Sequence, residues 1–195
     1  MPNAPSLDLE PHGADIFVGE SPDYPWGRIY GGLVVAQALV AATETVNADH
    51  HVHSLHSYFI LGGLPTEPVR YEVYRIRNGR SFSTRRVVAR QSAGAILNLS
   101  ASFQRIEDGQ PDVQAVEVPD APDPDAVGRS EWEAGFDYRE VEFPPGTGRS
   151  LAWARYVGEL PDDPRMLTDG LRQTAATARR WWRRSDRLDA PPMHA

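Results

Sequence analysis

Two adjacent glycines stand where a long apolar segment begins, and this placement could serve chemistry at a carbonyl group. Gly31 and Gly32 open the segment GGLVVAQALVAATETVN, which spans residues 31–47. The first amides of a helix have no partner within that helix, and they stabilise negative charge that develops on a carbonyl oxygen. Glycine also lets a helix pack closely on a sheet. The sequence leaves the chemical and the packing interpretations open.

A short turn rich in arginine and hydroxyl groups is the second segment that could do chemistry. Asn78-Gly79 is a strong signal for a two-residue hairpin. An arginine and a hydroxyl just beyond such a turn could hold a phosphate, and an aromatic ring beside them could stack on an adenine. The residues concerned are Arg80, Ser81, Phe82 and Ser83. The alternative is a plain hairpin with solvated arginines, and we interpret Arg85, Arg86 and Arg90 as an exposed strand face.

Four histidines precede and enter the next segment, at positions 50, 51, 53 and 56. No second group of carboxylates or histidines stands at ligand spacing, so the sequence predicts no metal site. His56 shares a strand face with Ser54 and Tyr58 and is a candidate base. A hydrogen-bonded structural histidine is the alternative reading.

Composition excludes several classes of protein. The chain has 195 residues, a net charge of −7 and no cysteine, which excludes disulfides and thiolate chemistry. An acidic chain does not suit nucleic acid, and the basic stretch at residues 178–187 is short. The longest nearly apolar stretch is too short to cross a bilayer, and the start of the chain lacks the pattern of a signal peptide. We therefore expect a cytoplasmic protein with neither a nucleic-acid nor a membrane partner.

The elements that must position these residues follow from hydrophobic periodicity. Residues 31–47 are apolar on nearly all sides, which predicts a buried helix. Residues 1–30 are interpreted as an irregular lead-in. Strands are predicted at residues 51–61, 69–77, 81–91 and 95–107. A long helix followed by a four-stranded antiparallel meander is an α+β architecture in which the sheet wraps around the helix.

The remaining chain has a different composition. Residues 108–150 are acidic and rich in proline, which is typical of a linker with little regular structure. Residues 151–195 are too few for an independent domain.

Several motifs together resemble the thioesterase II family of acyl-CoA thioesterases. The matching stretches are GRIYGGLVVAQA at residue 27, VHSLHSYF at residue 52, RNGRSFSTRRV at residue 77 and ASFQ at residue 101. Family members contain two hotdog folds, each a long helix wrapped by an antiparallel sheet. By this resemblance residues 12–107 form one hotdog, residues 108–150 a linker, and residues 151–195 a truncated or frameshifted remnant of the second hotdog.

The resemblance also implies an activity, the hydrolysis of fatty acyl-CoA to a fatty acid and CoA without a cofactor. It implies a substrate groove that includes Gly31, Gly32, Gln37, Arg80, Ser81, Phe82 and Ser83. The family's catalytic Asp, Thr and Gln come from its second hotdog, and no motif maps them onto this chain, where the positions considered are Asp169, Asp186, Asp189, Thr174 and Gln173. The alternative function is therefore a non-catalytic acyl-CoA-binding or assembly module.

Two further expectations concern what would replace the second hotdog. The open sheet edge of a single hotdog should pair with a second copy, which gives a homodimer or a higher homo-oligomer. If that dimer hydrolyses acyl-CoA, some residue of this half must replace the family's missing acid. Glu44 is the first candidate, as the only carboxylate on the segment predicted to be a buried helix, and His56 is the second.

Overall fold

A computed structural model of the chain describes residues 7–107, 109, 120–129, 136–144 and 151–156. The chain divides into two compact units, and the described residues 7–107 belong to the first of them. The described residues from 109 onward belong to the second. No helix in these described ranges is long and apolar enough to cross a membrane.

The first unit is one helix packed on a six-stranded antiparallel sheet. Helix α1 spans Gly31–Thr43, and ten of its residues from Leu33 to Thr43 are buried. The strands are β1 (Glu10–Pro11), β2 (Ile16–Gly19), β3 (His50–Phe59), β4 (Val69–Asn78), β5 (Phe82–Gln91) and β6 (Gly94–Arg105). This arrangement confirms the α+β hotdog predicted from the sequence, with the apolar helix at its centre.

The order of the strands differs from the predicted meander. The sheet runs β1-β2-β4-β5-β6-β3, so β3 pairs with β6 and not with β4. Residues 60–68 connect β3 to β4. They are long enough to carry the chain from β3, at one edge of the sheet, past β6 and β5 to β4. The prediction of an irregular lead-in is wrong at Ile16–Gly19, which pairs with β4 through the apolar Ile-Phe-Val stretch.

The two faces of the sheet differ in burial. On β5 and β6 the odd-numbered side chains 83–89 and 97–103 are buried beneath α1, as the period of two in a strand requires. Tyr71, Leu97, Leu99 and Phe103 form the centre of this core. Even-numbered side chains such as Arg86 and Arg90 lie on the outer face, whereas Ile96, near the start of β6, belongs to the core.

The second unit contains a hairpin and a short turn. Strands β7 (Phe136–Val141) and β8 (Leu151–Tyr156) pair antiparallel, and a 3₁₀ turn spans Pro124–Ala126. The buried carboxylate of Asp137 lies 3.4–3.5 Å from the guanidinium groups of Arg129, Arg139 and Arg155. Strand β7 therefore lies within residues 108–150, the range interpreted from its prolines as a linker.

Candidate active site

The start of α1 carries two backbone donors that the described structure leaves unused. Tyr30 caps the helix in an extended conformation, and its carbonyl accepts from the amides of Leu33 and Val34 at 3.0 and 3.4 Å. No hydrogen bond among the described residues involves the amide of Gly31 or Gly32. These two N–H groups can therefore donate to a ligand oxygen, and the helix dipole favours negative charge there.

A side chain at either glycine would also crowd a neighbouring aromatic ring. A Cβ atom on Gly31 would lie 2.9 Å from Cε1 of Phe59, and a Cβ on Gly32 would lie 2.5 Å from Cε1 of Tyr30. The packing interpretation of the sequence is therefore supported. It does not compete with the chemical one, since a missing side chain also keeps the amides accessible.

An apolar pocket lies beside these amides. It has a volume of about 270 Å³. Its lining combines α1, the end of β3, the following loop and β6, through Ile29, Gly31, Val34, Phe59–Gly63 and Ile96. Because the lining is mainly apolar and Gly31 is part of it, the pocket can take a hydrocarbon chain whose polar end meets the start of α1.

Gln37 does not face this pocket. Its side chain is 1% exposed. Its Oε1 accepts from the Tyr71 hydroxyl at 2.7 Å, and its Nε2 donates to the Glu20 carbonyl at 2.9 Å. Burial raises the pKa of Tyr71, so this hydroxyl stays protonated and remains a donor. The expectation that Gln37 binds substrate is therefore corrected: Gln37 ties α1 to β4 and to the segment before the helix.

This structural role predicts the effect of replacing Gln37 with leucine, which has a similar volume. The Tyr71 hydroxyl would lose its partner in the core, and we expect the free energy of unfolding to fall by about 1–3 kcal/mol. Urea unfolding measures the change. The double variant Gln37→Leu with Tyr71→Phe should recover part of the loss, because both polar partners are then gone. No recovery would argue against this hydrogen bond as the cause.

Some of the predicted ligand residues at the turn between β4 and β5 are exposed, and others are buried. Arg80 and Ser81 are exposed, and Phe82 is partly exposed on the outer face with its ring 5.8 Å from that of His53. Ser83 is buried beneath α1. The expectation that Ser83 contacts substrate is corrected, because its position in β5 turns it toward the core.

Arg85 is the important residue that the sequence interpretation missed. It is 1% exposed, so its assignment to an exposed strand face is wrong, whereas Arg86 and Arg90 are exposed as expected. Burial lowers the pKa of Arg85, and the nearby Arg75 lowers it further. One signal was available: Arg85 and Arg86 are adjacent on a strand, so they must point to opposite faces.

The Arg85 guanidinium makes five hydrogen bonds. Nε donates to Oγ1 of Thr45 at 2.7 Å, and Nη2 donates to the Thr45 carbonyl at 2.8 Å and to Oδ1 of Asn78 at 2.7 Å. Nη1 donates to the carbonyls of Arg77 and Thr84 at 2.8 and 3.0 Å. Arg85 therefore joins the segment after α1 to the beginning of the turn.

The two candidate bases lie elsewhere. Glu44 is the C-cap of α1 and is exposed, so the expectation of a carboxylate on the buried helix is wrong. At 1.5 Å per residue it lies about 20 Å from the start of the helix. His56 is exposed on β3, with its ring 4.6 Å from that of Tyr58. The structure therefore does not bring Glu44 to the amides of Gly31 and Gly32.

The other histidines have separate partners. Nδ1 of the buried His50 lies 2.8 Å from the Asp49 carboxylate. Nε2 of His53 lies 2.9 Å from Oγ of Ser102, beside the β-bulge where β3 changes register. These contacts fit the structural reading of the histidines.

Comparison with known proteins agrees with this arrangement. Residues 21–104 match the acyl-CoA thioesterase N-terminal domain. The chain is 44% identical over 121 residues to human acyl-coenzyme A thioesterase 8, an alignment that covers 62% of this chain and 38% of that protein. It is 43% identical over 103 residues to acyl-CoA thioesterase 2 of Haemophilus influenzae, covering 53% of this chain and 36% of that protein.

Solved structures extend the comparison to the fold. The tesB protein of Mycobacterium avium subspecies paratuberculosis is 34% identical with a TM-score of 0.71, and the match covers 88% of this chain and 64% of that one. Acyl-CoA thioesterase II TesB2 of Mycobacterium marinum is 35% identical with a TM-score of 0.66, covering 88% and 63%. By contrast, the chain covers a little over one third of the length of human acyl-coenzyme A thioesterase 8 and of acyl-CoA thioesterase 2 of Haemophilus influenzae. Through its helix-and-sheet unit, the chain is thus similar to the thioesterase II family of acyl-CoA thioesterases.

Proposed function

We propose that this protein is an acyl-CoA thioesterase that uses the start of α1 to bind the thioester. The observation that carries the proposal is the 270 Å³ apolar pocket beside the unused amides of Gly31 and Gly32. The pocket takes the acyl chain, and the amides receive the thioester oxygen. The similarity to named acyl-CoA thioesterases supports the same assignment.

The chemistry follows from the position of the donors. Water adds to the thioester carbonyl, and negative charge develops on the carbonyl oxygen, where two fixed amides can stabilise it. The carbon–sulfur bond then breaks, the CoA sulfur takes a proton, and a fatty acid leaves. The first turn of α1 carries no acidic residue. The positions considered for a catalytic group, Gln173, Thr174 and the aspartates 169, 186 and 189, lie outside the described residues.

The size of the pocket limits how much of the substrate it can hold. Its volume of 270 Å³ is below the roughly 300–1,000 Å³ of sites for whole drug-sized ligands. At about 30 Å³ for each water-sized group, it accommodates roughly nine non-hydrogen atoms of an acyl chain. The nucleotide part of CoA must therefore bind elsewhere. We assign it to the turn with Arg80 and Ser81, with Phe82 beside them.

A thioester hydrolysis assay with detection of the released thiol tests the proposal. We expect the full chain to release CoA from a medium-chain acyl-CoA and to bind it in calorimetry. Binding without thiol release would favour the alternative, a non-catalytic acyl-CoA-binding module. Absence of both binding and release would contradict the proposed function.

The edge of the sheet supports a further part of the proposal, self-association. Among the described strands β3 pairs only with β6, so its other edge has open donors and acceptors. The ten residues of β3 include no Asp, Glu, Lys, Arg or Pro, the residues that usually protect such an edge. The surface at its end is apolar, with exposed Tyr58, Phe59, Ile60 and Leu61.

We therefore expect two copies to pair through β3, and light scattering measures this directly. The wild-type chain should have about twice its mass of 21.6 kDa at micromolar concentration. Leu55→Lys places a charge on the β3 edge strand and should shift the population toward monomer. The matched control is Ile76→Lys, which charges an exposed apolar residue of β4 and should leave the mass unchanged. A wild-type monomer would refute self-pairing.

A further inference from the structure

The surroundings of Arg85 are unusual for a buried charge. All five of its hydrogen bonds go to neutral oxygen atoms, four of them on Thr45, Arg77 and Thr84 and one on the side chain of Asn78. Burying a charge is costly even when it is paired, and apolar residues of similar size often serve packing equally well. A charge retained in this place therefore points to a role in fixing a particular conformation.

The contacts of Arg85 identify what it fixes. Two of its acceptors, the Arg77 carbonyl and Oδ1 of Asn78, belong to the last residues of β4. The turn begins at the next residue, where the Gly79 amide donates to the Phe82 carbonyl at 2.9 Å. A Cβ atom at position 79 would lie 2.6 Å from that carbonyl oxygen, so the turn is tightly folded. Arg85, from its buried position in β5, thus holds the last residues of β4, which lead into the turn.

The turn itself is suited to an anion. Arg77 and Arg80 are exposed, and neither forms an ion pair with a carboxylate in the described parts of the chain. At the other end of the turn, the Ser81 carbonyl accepts a hydrogen bond from the Arg105 amide at 2.9 Å. This bond fixes the residue that leads into β5. Two free guanidinium groups on a chain with a net charge of −7 form a local positive site.

We propose that Arg85 is a positioning residue that holds the 78–81 turn in the conformation that binds the phosphate groups of the substrate. The inference rests on the proposed function, since it assumes that acyl-CoA is the ligand. Arg85 does not touch the ligand. It acts through Asn78, and the exposed Arg80 and Ser81 make the contacts.

Asn78→Ala tests the inference without emptying the core, because Asn78 is exposed and Nη2 of Arg85 keeps its bond to Thr45. The matched control is Asn98→Ala on the outer face of the sheet. Oδ1 of Asn98 accepts from Nε of Arg86 at 3.1 Å, so the control loses the same kind of bond at a distance from the turn. Calorimetry on the full chain would use two probes, acyl-CoA and the matching acyl-pantetheine, which has the same thioester but no phosphate.

We expect Asn78→Ala to weaken acyl-CoA binding about five- to tenfold, as the loss of one ordinary hydrogen bond would. Binding of acyl-pantetheine should be unchanged, and Asn98→Ala should match the wild type with both probes. Arg85→Lys keeps the charge but not the fork of donors. If it folds, it should weaken acyl-CoA binding at least as much as Asn78→Ala.

Three outcomes would overturn the inference while the wild type binds acyl-CoA. Asn78→Ala could equal Asn98→Ala, it could weaken both probes alike, or a folded Arg85→Lys could retain full affinity for acyl-CoA. If the wild-type chain binds acyl-pantetheine but gains nothing from the phosphates of CoA, the inference also fails, whereas the acyl site remains. A wild type that binds neither probe would refute the proposed function and the inference with it.

Discussion

Replacing Arg85 with methionine is expected to lower the free energy of unfolding by about 3–5 kcal/mol. Methionine is an unbranched side chain like arginine and removes the cost of burying a charge. It also removes the Arg85 donor from five oxygen acceptors, of which the Thr45 carbonyl and hydroxyl lie in the buried interior. Each buried acceptor left unpaired costs about 1–3 kcal/mol, so the loss outweighs the gain.

Arg86→Met is the control for this experiment. It changes the adjacent arginine, which is exposed on the outer face and whose side chain donates one hydrogen bond within the described residues, to Asn98. We expect a change within about 0.5 kcal/mol. Urea unfolding followed by tryptophan fluorescence compares the two variants. Equal midpoints for Arg85→Met and Arg86→Met would show that the five hydrogen bonds contribute little to stability.

The second large effect is expected at the first residue of α1. Gly31→Pro should lower kcat/KM for acyl-CoA about 100-fold relative to Gly31→Ala, as the loss of one oxyanion donor does. Proline is well tolerated at the first position of a helix, and Tyr30 already has the extended backbone (φ −62°, ψ 122°) that must precede it. Both variants add a Cβ against Phe59, whose exposed ring can move.

The ratio of these two variants therefore isolates the Gly31 N–H. Alanine keeps this donor and proline removes it, while the crowding at Phe59 is similar. Thiol release by the full chain gives the rates, and thermal melting confirms that both variants fold. Equal rates would mean that the Gly31 amide does not stabilise the transition state, and the glycine would then serve packing alone.

The sequence alone determined the fold class of the first unit, a buried helix on an antiparallel sheet. Residues 31–43 are apolar on nearly all sides, and only the interior of the domain can cover such a helix, so its burial required no knowledge of the fold. Asn78-Gly79 correctly marked the end of β4, but the predicted two-residue turn is wrong in position: Asn78 still pairs with Ser83, and the reversal lies at residues 79–81. Four motifs in family order likewise indicated the thioesterase II family before any geometry was known.

Only the tertiary structure decided the order of the strands in the sheet and which face of each strand is buried. Local patterns indicate a strand but not its neighbour, so nothing in β3 showed that it pairs with β6 across a long connection. In β5 the two faces are about equally polar: Ser83 and Arg85 alternate with Phe82, Thr84 and Arg86. The hydropathy of the β5 residues therefore does not indicate which face of this strand lies under α1.

The same reason explains the corrected site residues. When its neighbours in the fold are unknown, a polar side chain such as that of Gln37 or Arg85 is interpreted as a ligand-binding group or as a solvent-exposed one. Its burial is stable only because distant groups supply the missing hydrogen bonds, Tyr71 for Gln37 and Thr45 for Arg85. Those partners are 34 and 40 positions away in the chain, and only the folded structure brings them within 2.7 Å.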